Sequence, residues 1–268
     1  MNNIFQLKYY LITIYTALSL VPLNAFADRI TDWRTVNFSS ISLAPIGNSS
    51  VIGLGKNYSP YIYNLFTGTI TKTLPGKFTL IKTNRNSTIF ALNRNKAIYV
   101  YEGRVWKKIK TKREVETFSL SDKALYYLSK GVWFSKSLTK NRGTETEVLP
   151  NIPDKVYVNK INPKTFIVLD KNNKLSTFQG SKEKVIFNNI KKVLFVRGDV
   201  IFFSDLNDNV YAHTTKNNSS TKIIESLEFH SLHLTPNNKL IAATKKKVYL
   251  SETTIEQVLN INKKLAYK

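Results

Sequence analysis

The sequence contains no cysteine, and only three of its 268 residues are histidine. The absence of cysteine excludes disulfides, thiol catalysis, thiolate-bound metal and attachment through a lipidated N-terminal thiol. The scarcity of histidine leaves few side chains for general base catalysis or metal binding near neutral pH. The folded chain must therefore be stabilised by the packing of a large core, without covalent cross-links.

Acidic residues are also few, with 18 Asp and Glu against 40 Lys and Arg, which gives a formal net charge of +22. Glycoside hydrolysis and most general acid–base chemistry need two carboxyl groups across a cleft, whereas the acids here lie mostly beside lysines in turns and at strand edges. No serine occupies a G-x-S-x-G elbow. We therefore expect a protein that is not an enzyme and that holds no cofactor and no metal.

The basic residues are 32 lysines and 8 arginines. Lysine is a hydrated point charge, whereas arginine makes bidentate contacts with phosphates and bases. This mixture favours diffuse attraction to a polyanion over a shaped phosphate-binding or base-reading site. A composition that is rich in lysine and asparagine throughout is the alternative cause of the charge.

Long hydrophobic runs are absent outside residues 1–27. That segment has a basic start, an apolar stretch of 15 residues (9–23) and a small-residue exit at 25–27, the pattern of a secretory signal peptide. We expect cleavage before Asp28 and export to the periplasm or the medium, and the loss of Lys8 lowers the net charge from +22 to +21. An uncleaved membrane anchor is the alternative, although the stretch is shorter than the roughly 20 residues that span a bilayer.

What the sequence does contain is a short apolar run that recurs six times. The runs VIGLG, IFALN, LYYLS, FIVLD, IFFSD and LIAAT begin at residues 51, 89, 125, 166, 201 and 240. Their starts lie 38, 36, 41, 35 and 39 residues apart, a spacing typical of one four-stranded sheet per repeat. In the second repeat, four β-type runs (78–82, 88–92, 97–101 and 105–110) are separated by turn-forming residues. We name the four strands of a repeat A to D.

The six recurrent runs fall in strand B and are continuously apolar. A strand covered on one face only would alternate apolar and polar residues, so these strands should be buried on both faces. Burial on both faces arises where sheets stand radially around an axis. The sequence therefore predicts an all-β fold over residues 28–252, a six-bladed β-propeller of four-stranded antiparallel blades.

The ring of blades must be closed by one end of the chain. The run DWRTV (32–36) resembles strand D of the second repeat and precedes the first strand A, so we predict that it is strand D of blade six. Residues 253–268 then form a short C-terminal helix, with Thr253 and Glu256 as a capping box. The alternative is that TIEQV, within 253–268, is the closing strand and that DWRTV belongs to a seventh blade.

The segment AIYVYEGRVWKKI (97–109) resembles a tectonin-type blade, in which an Ile-Tyr step in strand C is followed by a glycine-containing turn and a strand D tryptophan. Trp106 occupies that tryptophan position in blade two and Trp33 in blade six, while blades three to five lack it. The resemblance implies a propeller that is non-catalytic and that binds bacterial surface glycans, including lipopolysaccharide. Tyrosines at or near the strand C position are Tyr63, Tyr99, Tyr211 and Tyr249.

Positive charge that forms a ligand site should concentrate at one end of the propeller. The predicted B–C and D–A connections carry +10 at one end, and the A–B and C–D connections carry about +8 at the other, so charge alone favours neither end. The candidate ligand-binding residues are basic side chains in or beside the B–C turns together with the strand D tryptophan: Lys56, Arg94, Lys96, Lys130, Lys171, Lys174, Lys245, Lys246 and Trp106.

Two short patterns invite a comparison with metal sites. Asp205, Asn207 and Asn209 are spaced like the start of an EF-hand loop, but the glycine and the bidentate glutamate of that loop are missing, which favours a turn. His230 and His233 lie three residues apart on a predicted strand and point to opposite faces, so they cannot bind one metal together. Neither pattern predicts a metal site.

The leading functional hypothesis is an exported, non-catalytic propeller that binds an anionic envelope polymer or glycan such as lipopolysaccharide. A protein-interaction scaffold or a secreted host-directed factor is the alternative, because propellers present wide surfaces. A glycan-cleaving enzyme is a further alternative, without a carboxylate pair to support it. We expect no specific nucleic-acid partner and no transmembrane segment after the signal peptide is removed.

Overall fold

The computed structural model describes residues 33–36, 38–84, 86–139, 144–152, 154–162, 164–225, 229–244 and 247–257. The predicted signal peptide and the last 11 residues, 258–268, lie outside this range. Almost all regular structure is β-strand. Within the described residues, no helix has the length and apolar character that crossing a membrane requires.

The strands form six four-stranded antiparallel sheets, which confirms the six-bladed β-propeller. The first described strand, β1 (Trp33–Val36), belongs to blade six. In order A to D, blade one has β2 (Ser42–Ile46), β3 (Ser50–Leu54), β4 (Pro60–Asn64) and β5 (Ile70–Thr73); blade two has β6 (Leu80–Thr83), β7 (Ile89–Leu92), β8 (Ile98–Glu102) and β9 (Val105–Lys108).

Blade three has β10 (Thr117–Leu120), β11 (Ala124–Ser129), β12 (Val132–Ser137) and β13 (Thr146–Glu147); blade four has β14 (Lys155–Asn162), β15 (Thr165–Asp170), β16 (Leu175–Gln179) and β17 (Lys182–Phe187). Blade five has β18 (Ile190–Arg197), β19 (Val200–Asp205), β20 (Val210–Thr214) and β21 (Ser219–Ile224); blade six has β22 (Ser231–Leu234), β23 (Lys239–Ala243) and β24 (Val248–Thr254), completed by β1.

Blade six closes the ring with a strand from the start of the described chain. Strand β1 pairs antiparallel with β24, so that Trp33 lies opposite Ser251 and Val36 opposite Val248. The prediction that DWRTV is strand D of blade six is confirmed. The alternative with TIEQV as the closing strand and a seventh blade is wrong, because the outer edge of β24 is already occupied by β1.

The B strands are buried on both faces, as their continuous apolar runs predict. In β7, all four residues from Ile89 to Leu92 are between 0% and 6% exposed. Ile89 and Ala91 pack into the cluster shared with blade one, while Phe90 and Leu92 pack into the cluster shared with blade three. Successive side chains of a strand point to opposite faces, so one apolar strand supplies two inter-blade cores.

A short helix begins at Ile255, directly after strand C of blade six, and is described as far as Gln257. Its capping box lies one residue later than predicted: the Thr254 N–H donates to Gln257 Oε1 at 2.8 Å, and the Gln257 N–H donates to Thr254 Oγ1 at 3.4 Å. The shift places Ile255 in the core between blades five and six, where it is 5% exposed.

Candidate functional site

A cavity of about 760 Å³ lies at the centre of the ring and opens at the end that carries the A–B turns, which we call the A–B end. All six blades contribute to it, because strand A of each blade is the innermost strand. We call this cavity the central funnel; representative lining residues, in blade order, are Pro45, Lys82, Ser119, Lys160, Arg197 and His233.

The alternation of side chains along strand A decides which residues line the central funnel. In β6, Ile81 packs into the core between blades one and two, and the next residue, Lys82, lines the central funnel. In β10, Phe118 packs between blades two and three, and Ser119 lines the central funnel. Each strand A therefore supplies the apolar core and the polar wall in turn.

Hydrogen bonds between neighbouring A strands fix the wall. The Ser119 hydroxyl donates to the Val158 carbonyl at 2.5 Å, and Asn159 Nδ2 donates to the Leu120 carbonyl at 3.2 Å, which joins blades three and four. The Thr83 hydroxyl donates to the Pro45 carbonyl at 2.9 Å, which joins blades one and two. Side chains that bond main-chain groups of the next blade hold the wall in one geometry.

Lys82 is the basic side chain with the most unusual environment in the central funnel. Burial lowers the pKa of its ammonium to about 8. Its Nζ lies 5.7 Å from the centre of the Phe118 ring, a cation–π contact, and within the described part of the chain no carboxylate pairs with it. A partly desolvated cation without a counterion is left facing the cavity.

His233 lies in the same wall, on β22 of blade six, and is held neutral. Burial lowers its pKa to about 3, and the positive charge of Lys82 acts in the same direction. The ring stacks against Phe195 of blade five, with 6.0 Å between the ring centres. A neutral imidazole offers hydrogen bonds to a ligand but adds no charge.

Tyr157 of blade four also lines the central funnel and supplies a neutral hydroxyl. Burial raises its pKa to about 12, so that the phenol stays protonated near neutral pH. Its oxygen accepts a hydrogen bond from Asn159 Nδ2 at 3.0 Å. The Asn159 Oδ1 in turn accepts from the Lys160 N–H at 2.7 Å, so the amide is fixed in one orientation.

Further basic side chains surround the mouth. Lys123 lies in the A–B turn of blade three, and Lys160 Nζ lies 5.1 Å from the centre of the Phe166 ring. Arg197 donates from Nη1 to the Thr235 carbonyl at 2.7 Å. Among the described lining residues, Asp122 is the one acid, so the central funnel is strongly positive.

The candidate residues of the sequence analysis lie elsewhere. The described B–C turns are at the opposite end, and three of their lysines form ion pairs: Lys96 with Glu114 (3.2 Å), Lys171 with Asp154 (2.7 Å) and Lys174 with Glu183 (2.8 Å). These pairs remove much of the local excess of positive charge at that end, although exposed pairs add little stability.

The other candidates do not line the central funnel either. Arg94 stacks over the Tyr58 ring at 4.4 Å, the Lys130 N–H donates to Glu116 Oε1 at 2.7 Å, and Lys56 lies in the B–C turn of blade one. Lys245 and Lys246 lie outside the described residues. A ligand-binding role for these side chains remains a prediction.

Trp106 is engaged within the fold of blade two. Its Nε1–H donates to the Pro75 carbonyl at 2.8 Å, and its ring lies 4.5 Å from that of Phe78. Trp33 packs in the same way near Phe229, at 6.3 Å, so the two strand D tryptophans have equivalent packing roles. A ligand contact by Trp106 is likewise still a prediction.

The two metal-like patterns are explained by the local structure. Asp205 Oδ1 accepts the N–H groups of Asn207 and Asn209, each at 2.9 Å, which confirms a turn stabilised by the aspartate. His233 lines the central funnel, while His230 precedes β22. Within the described ranges, no cluster of three or more His, Asp and Glu side chains could hold a metal ion.

The basic residues of the central funnel share a feature that sequence reasoning overlooked. Lys82, Lys123, Lys160 and Arg197 lie at or just before the A–B turn of four consecutive blades, two to five. Counting charge over all connections at one end hid this pattern. The signal was available only by aligning the repeats at the end of strand A.

No protein-family model matches the chain, and no curated protein matches it. Solved structures do match. The WD40 repeats of RRP9 align with a TM-score of 0.58 and 9% identity over 82% of this chain and 97% of that chain. Hsv2 of Kluyveromyces lactis aligns with a TM-score of 0.52 and 13% identity over 75% of this chain and 69% of that one.

PorZ, described as an essential bacterial surface component of the type-IX secretion system of Porphyromonas gingivalis, aligns with a TM-score of 0.54 and 10% identity over 81% of this chain and 32% of that chain. Identities this low show the fold alone. The tectonin-type resemblance of the sequence is not matched by a family model. The chain is a six-bladed β-propeller with WD40-like structural neighbours.

Proposed function

We propose that the protein is an exported, non-catalytic binding propeller that holds an anionic glycan or envelope polymer at its central funnel. One observation carries the proposal: four basic side chains and one acid surround a cavity of about 760 Å³. A concave wall of one charge sign concentrates ions of the opposite sign and raises their rate of association. The volume lies in the range of small-ligand sites, about 300–1,000 Å³.

The remaining lining supports a sugar-like ligand. The lining also contains hydroxyl and amide groups of Ser121, Asn159 and Asn162 and the aromatic rings of Tyr126 and Tyr157. Sugars present hydroxyl groups along their edges and apolar C–H faces, so hydrogen-bonding groups and rings together suit them. A purely ionic surface without rings would favour small inorganic anions instead.

The same lining supports binding without catalysis. Asp122 has no second carboxylate beside it among the described lining residues, and acid–base cleavage of a glycosidic bond uses two. His233, with a pKa of about 3, is a weak base near neutral pH. The pattern of residues 1–27 supports export, which N-terminal sequencing of the protein recovered from its host would test by finding Asp28 first.

The test compares two double variants that change the net charge equally. Lys123→Glu/Lys160→Glu alters the central funnel, and Lys56→Glu/Lys130→Glu alters the B–C turns. We expect the first to weaken binding to heparin, lipopolysaccharide or teichoic acid about tenfold at low ionic strength, and the second to weaken it less than about threefold. Titrations at two salt concentrations separate a defined site from general charge.

Equal losses in both double variants would show diffuse attraction and would contradict a site in the central funnel. If the unmodified protein binds none of the three polymers at low ionic strength, the proposed function is wrong. Circular dichroism of each variant checks that the propeller is intact. The proposal is supported if binding persists at moderate salt in the unmodified protein and in Lys56→Glu/Lys130→Glu but is lost in Lys123→Glu/Lys160→Glu.

A protein-interaction scaffold is the second candidate, and exposed apolar residues of blade one favour it. Phe66 is 64% exposed and Ile70 is 53% exposed, at the outer edge of the ring. Exposed aromatic side chains are common anchors of protein interfaces. Recovery of one stoichiometric protein partner at high salt, lost with Phe66→Ser but kept by the central-funnel double variant, would favour this function over glycan binding.

A further inference from the structure

The lining of the central funnel ends part of the way along the A strands, at a level that we call the floor. Its lining reaches Lys82, Ser119, Tyr157 and His233, and it does not include the residues two positions earlier on those strands. Next to that level, the Ser231 hydroxyl donates to the Leu43 carbonyl at 3.1 Å. Beyond that level, neighbouring A strands are joined directly by hydrogen bonds of this kind.

Further cross-links lie at the same depth. The Ser42 hydroxyl donates to the Ile81 carbonyl at 3.3 Å, and Lys192 of blade five donates to the Phe229 carbonyl of blade six. A ligand that enters from the A–B end therefore reaches Lys82, Ser119, Tyr157 and His233 at the deepest level of the lining. An extended polymer can place one end there.

The other titratable groups that line the central funnel are nearly all basic or neutral. Blade three contributes Asp122, Lys123 and Tyr126, blade four Lys160 and neutral Tyr157, blade five Arg197, and blade six neutral His233. The one acid, Asp122, lies in the A–B turn at the mouth. The ammonium contacts the face of the Phe118 ring at 5.7 Å. A partly buried cation with no counterion is unfavourable by itself and becomes favourable when an anion is placed beside it.

We infer that Lys82 anchors a single terminal anionic group, so that an acidic saccharide or its fragment binds end-on with its charged end on the floor of the central funnel. The inference rests on the proposed function and names the part of the ligand that the site recognises. The terminal group is a carboxylate or a phosphate, both of which accept a charge-assisted hydrogen bond from an ammonium. Neutral His233 and Tyr157 flank it as uncharged hydrogen-bonding groups.

The protonation of Lys82 gives the inference a second, independent readout. Its pKa of about 8 means that the ammonium begins to lose its proton at pH values where exposed lysines keep theirs. A bound anion favours the charged form, so binding takes up a proton above pH 8. Affinity should therefore fall between pH 8 and 9.5, whereas a site of exposed lysines would keep its affinity over that interval.

The experiment uses three fluorescent trisaccharides labelled at the reducing end: maltotriose whose terminal sugar is oxidised to a glucuronate, maltotriose with a terminal phosphate, and neutral maltotriose. Binding is measured by anisotropy at pH 7 for the unmodified full chain, Lys82→Met and the control Lys108→Met, at an exposed position on the outer strand of the same blade. We expect the unmodified protein to prefer one or both acidic probes, Lys82→Met to weaken that binding about 10- to 100-fold, and Lys108→Met to change it less than twofold.

The outcomes separate this inference from the proposed function. If Lys82→Met leaves the acidic probes within twofold, while Lys123→Glu/Lys160→Glu abolishes their binding, end-on anchoring is wrong and the central funnel is still the site. If no probe and no polymer depends on the central funnel, both ideas fail. The two acidic probes distinguish a carboxylate from a phosphate terminus.

The inference can be tested even if Lys82→Met does not fold, because the pH dependence of binding is measured on the unmodified protein. A drop in affinity for the acidic probe of more than about threefold from pH 8 to 9.5 supports anchoring by Lys82. A flat profile over that interval overturns it. The neutral probe serves as the control for changes in the protein that are unrelated to charge.

Discussion

Trp33 lies opposite Ser251 in the register of blade six, so the start and the end of the described chain are hydrogen-bonded in one sheet. The Trp33 ring also lies 6.3 Å from both Phe229 and Tyr249. These contacts lie in blade six, which alone among the six described blades contains strands from both ends of the described chain. The closed ring therefore depends on a small set of contacts around one aromatic side chain.

Replacing the Trp33 side chain should destabilise the closed ring. We expect Trp33→Ala to lower the free energy of unfolding by about 3 kcal/mol, because it removes a large ring from the edge of the core between blades five and six. Urea unfolding followed by fluorescence gives the value. Val105→Ala, at a 53% exposed position on the outer strand of blade two, is the control and should change stability by less than about 0.5 kcal/mol.

Glu145 secures the short outer strand of blade three. Both carboxylate oxygens accept from the Lys112 N–H at 3.1 Å, Lys136 Nζ lies 3.8 Å away, and the side chain is only 2% exposed. We expect Glu145→Ala to cost about 2 kcal/mol, since the Lys112 N–H and the Lys136 ammonium lose a charged acceptor whose side chain is buried. Thermal unfolding measures the loss, and Glu147→Ala, at an exposed neighbouring position, should leave the midpoint nearly unchanged.

The repeat architecture was predictable because local sequence patterns, apolar strands and turn residues, determine it. Strand β7 and its equivalents in the other blades are continuously apolar because each touches two neighbouring sheets, and turn residues such as Asp205 follow from the geometry of short connections. The extent of the outer strand of blade three is different: the run TETEVL (144–149) looks like a full strand in the sequence, but β13 spans only Thr146–Glu147. Glu145 turns toward Lys112 instead, a long-range contact that no local pattern shows.

The candidate site was harder to predict, because it depends on which basic residues share a space. The lysines of the B–C turns look free in the sequence, yet Lys171 and Lys174 meet acids from other segments, Asp154 and Glu183. Lys82 looks like an ordinary strand residue, and its environment is created by strands from five other blades. Charge pairing and desolvation are properties of the closed ring, so a charge count along the chain could not separate the two ends.

Lys82 should make stability depend on pH in the alkaline range. Its pKa is about 8 in the folded protein and about 10.5 when unfolded, so the unfolded chain holds more protons between these values. The free energy of unfolding should therefore rise with pH from 8 to 10, as the cost of the buried ammonium disappears. Lys82→Met should raise stability at pH 7, and its advantage should shrink toward pH 10; an advantage that stays constant over that range would contradict the environment described for Lys82.

His233 should have the same kind of effect in the acid range, where stability falls as pH falls. Burial and the charge of Lys82 hold its pKa near 3, whereas an unfolded histidine titrates near 6.5, so the unfolded chain takes up an extra proton between these values. The stability supplied by neutral His233 is complete above pH 6.5 and is lost as pH falls toward 3, at up to about 1.4 kcal/mol per pH unit. His233→Phe keeps a ring against Phe195 and cannot titrate, so chemical unfolding from pH 7 to 4 should show a shallower decline than in the unmodified protein. Parallel curves for the two proteins would mean that His233 is protonated in the fold and that the floor of the central funnel is more open to water than its contacts indicate.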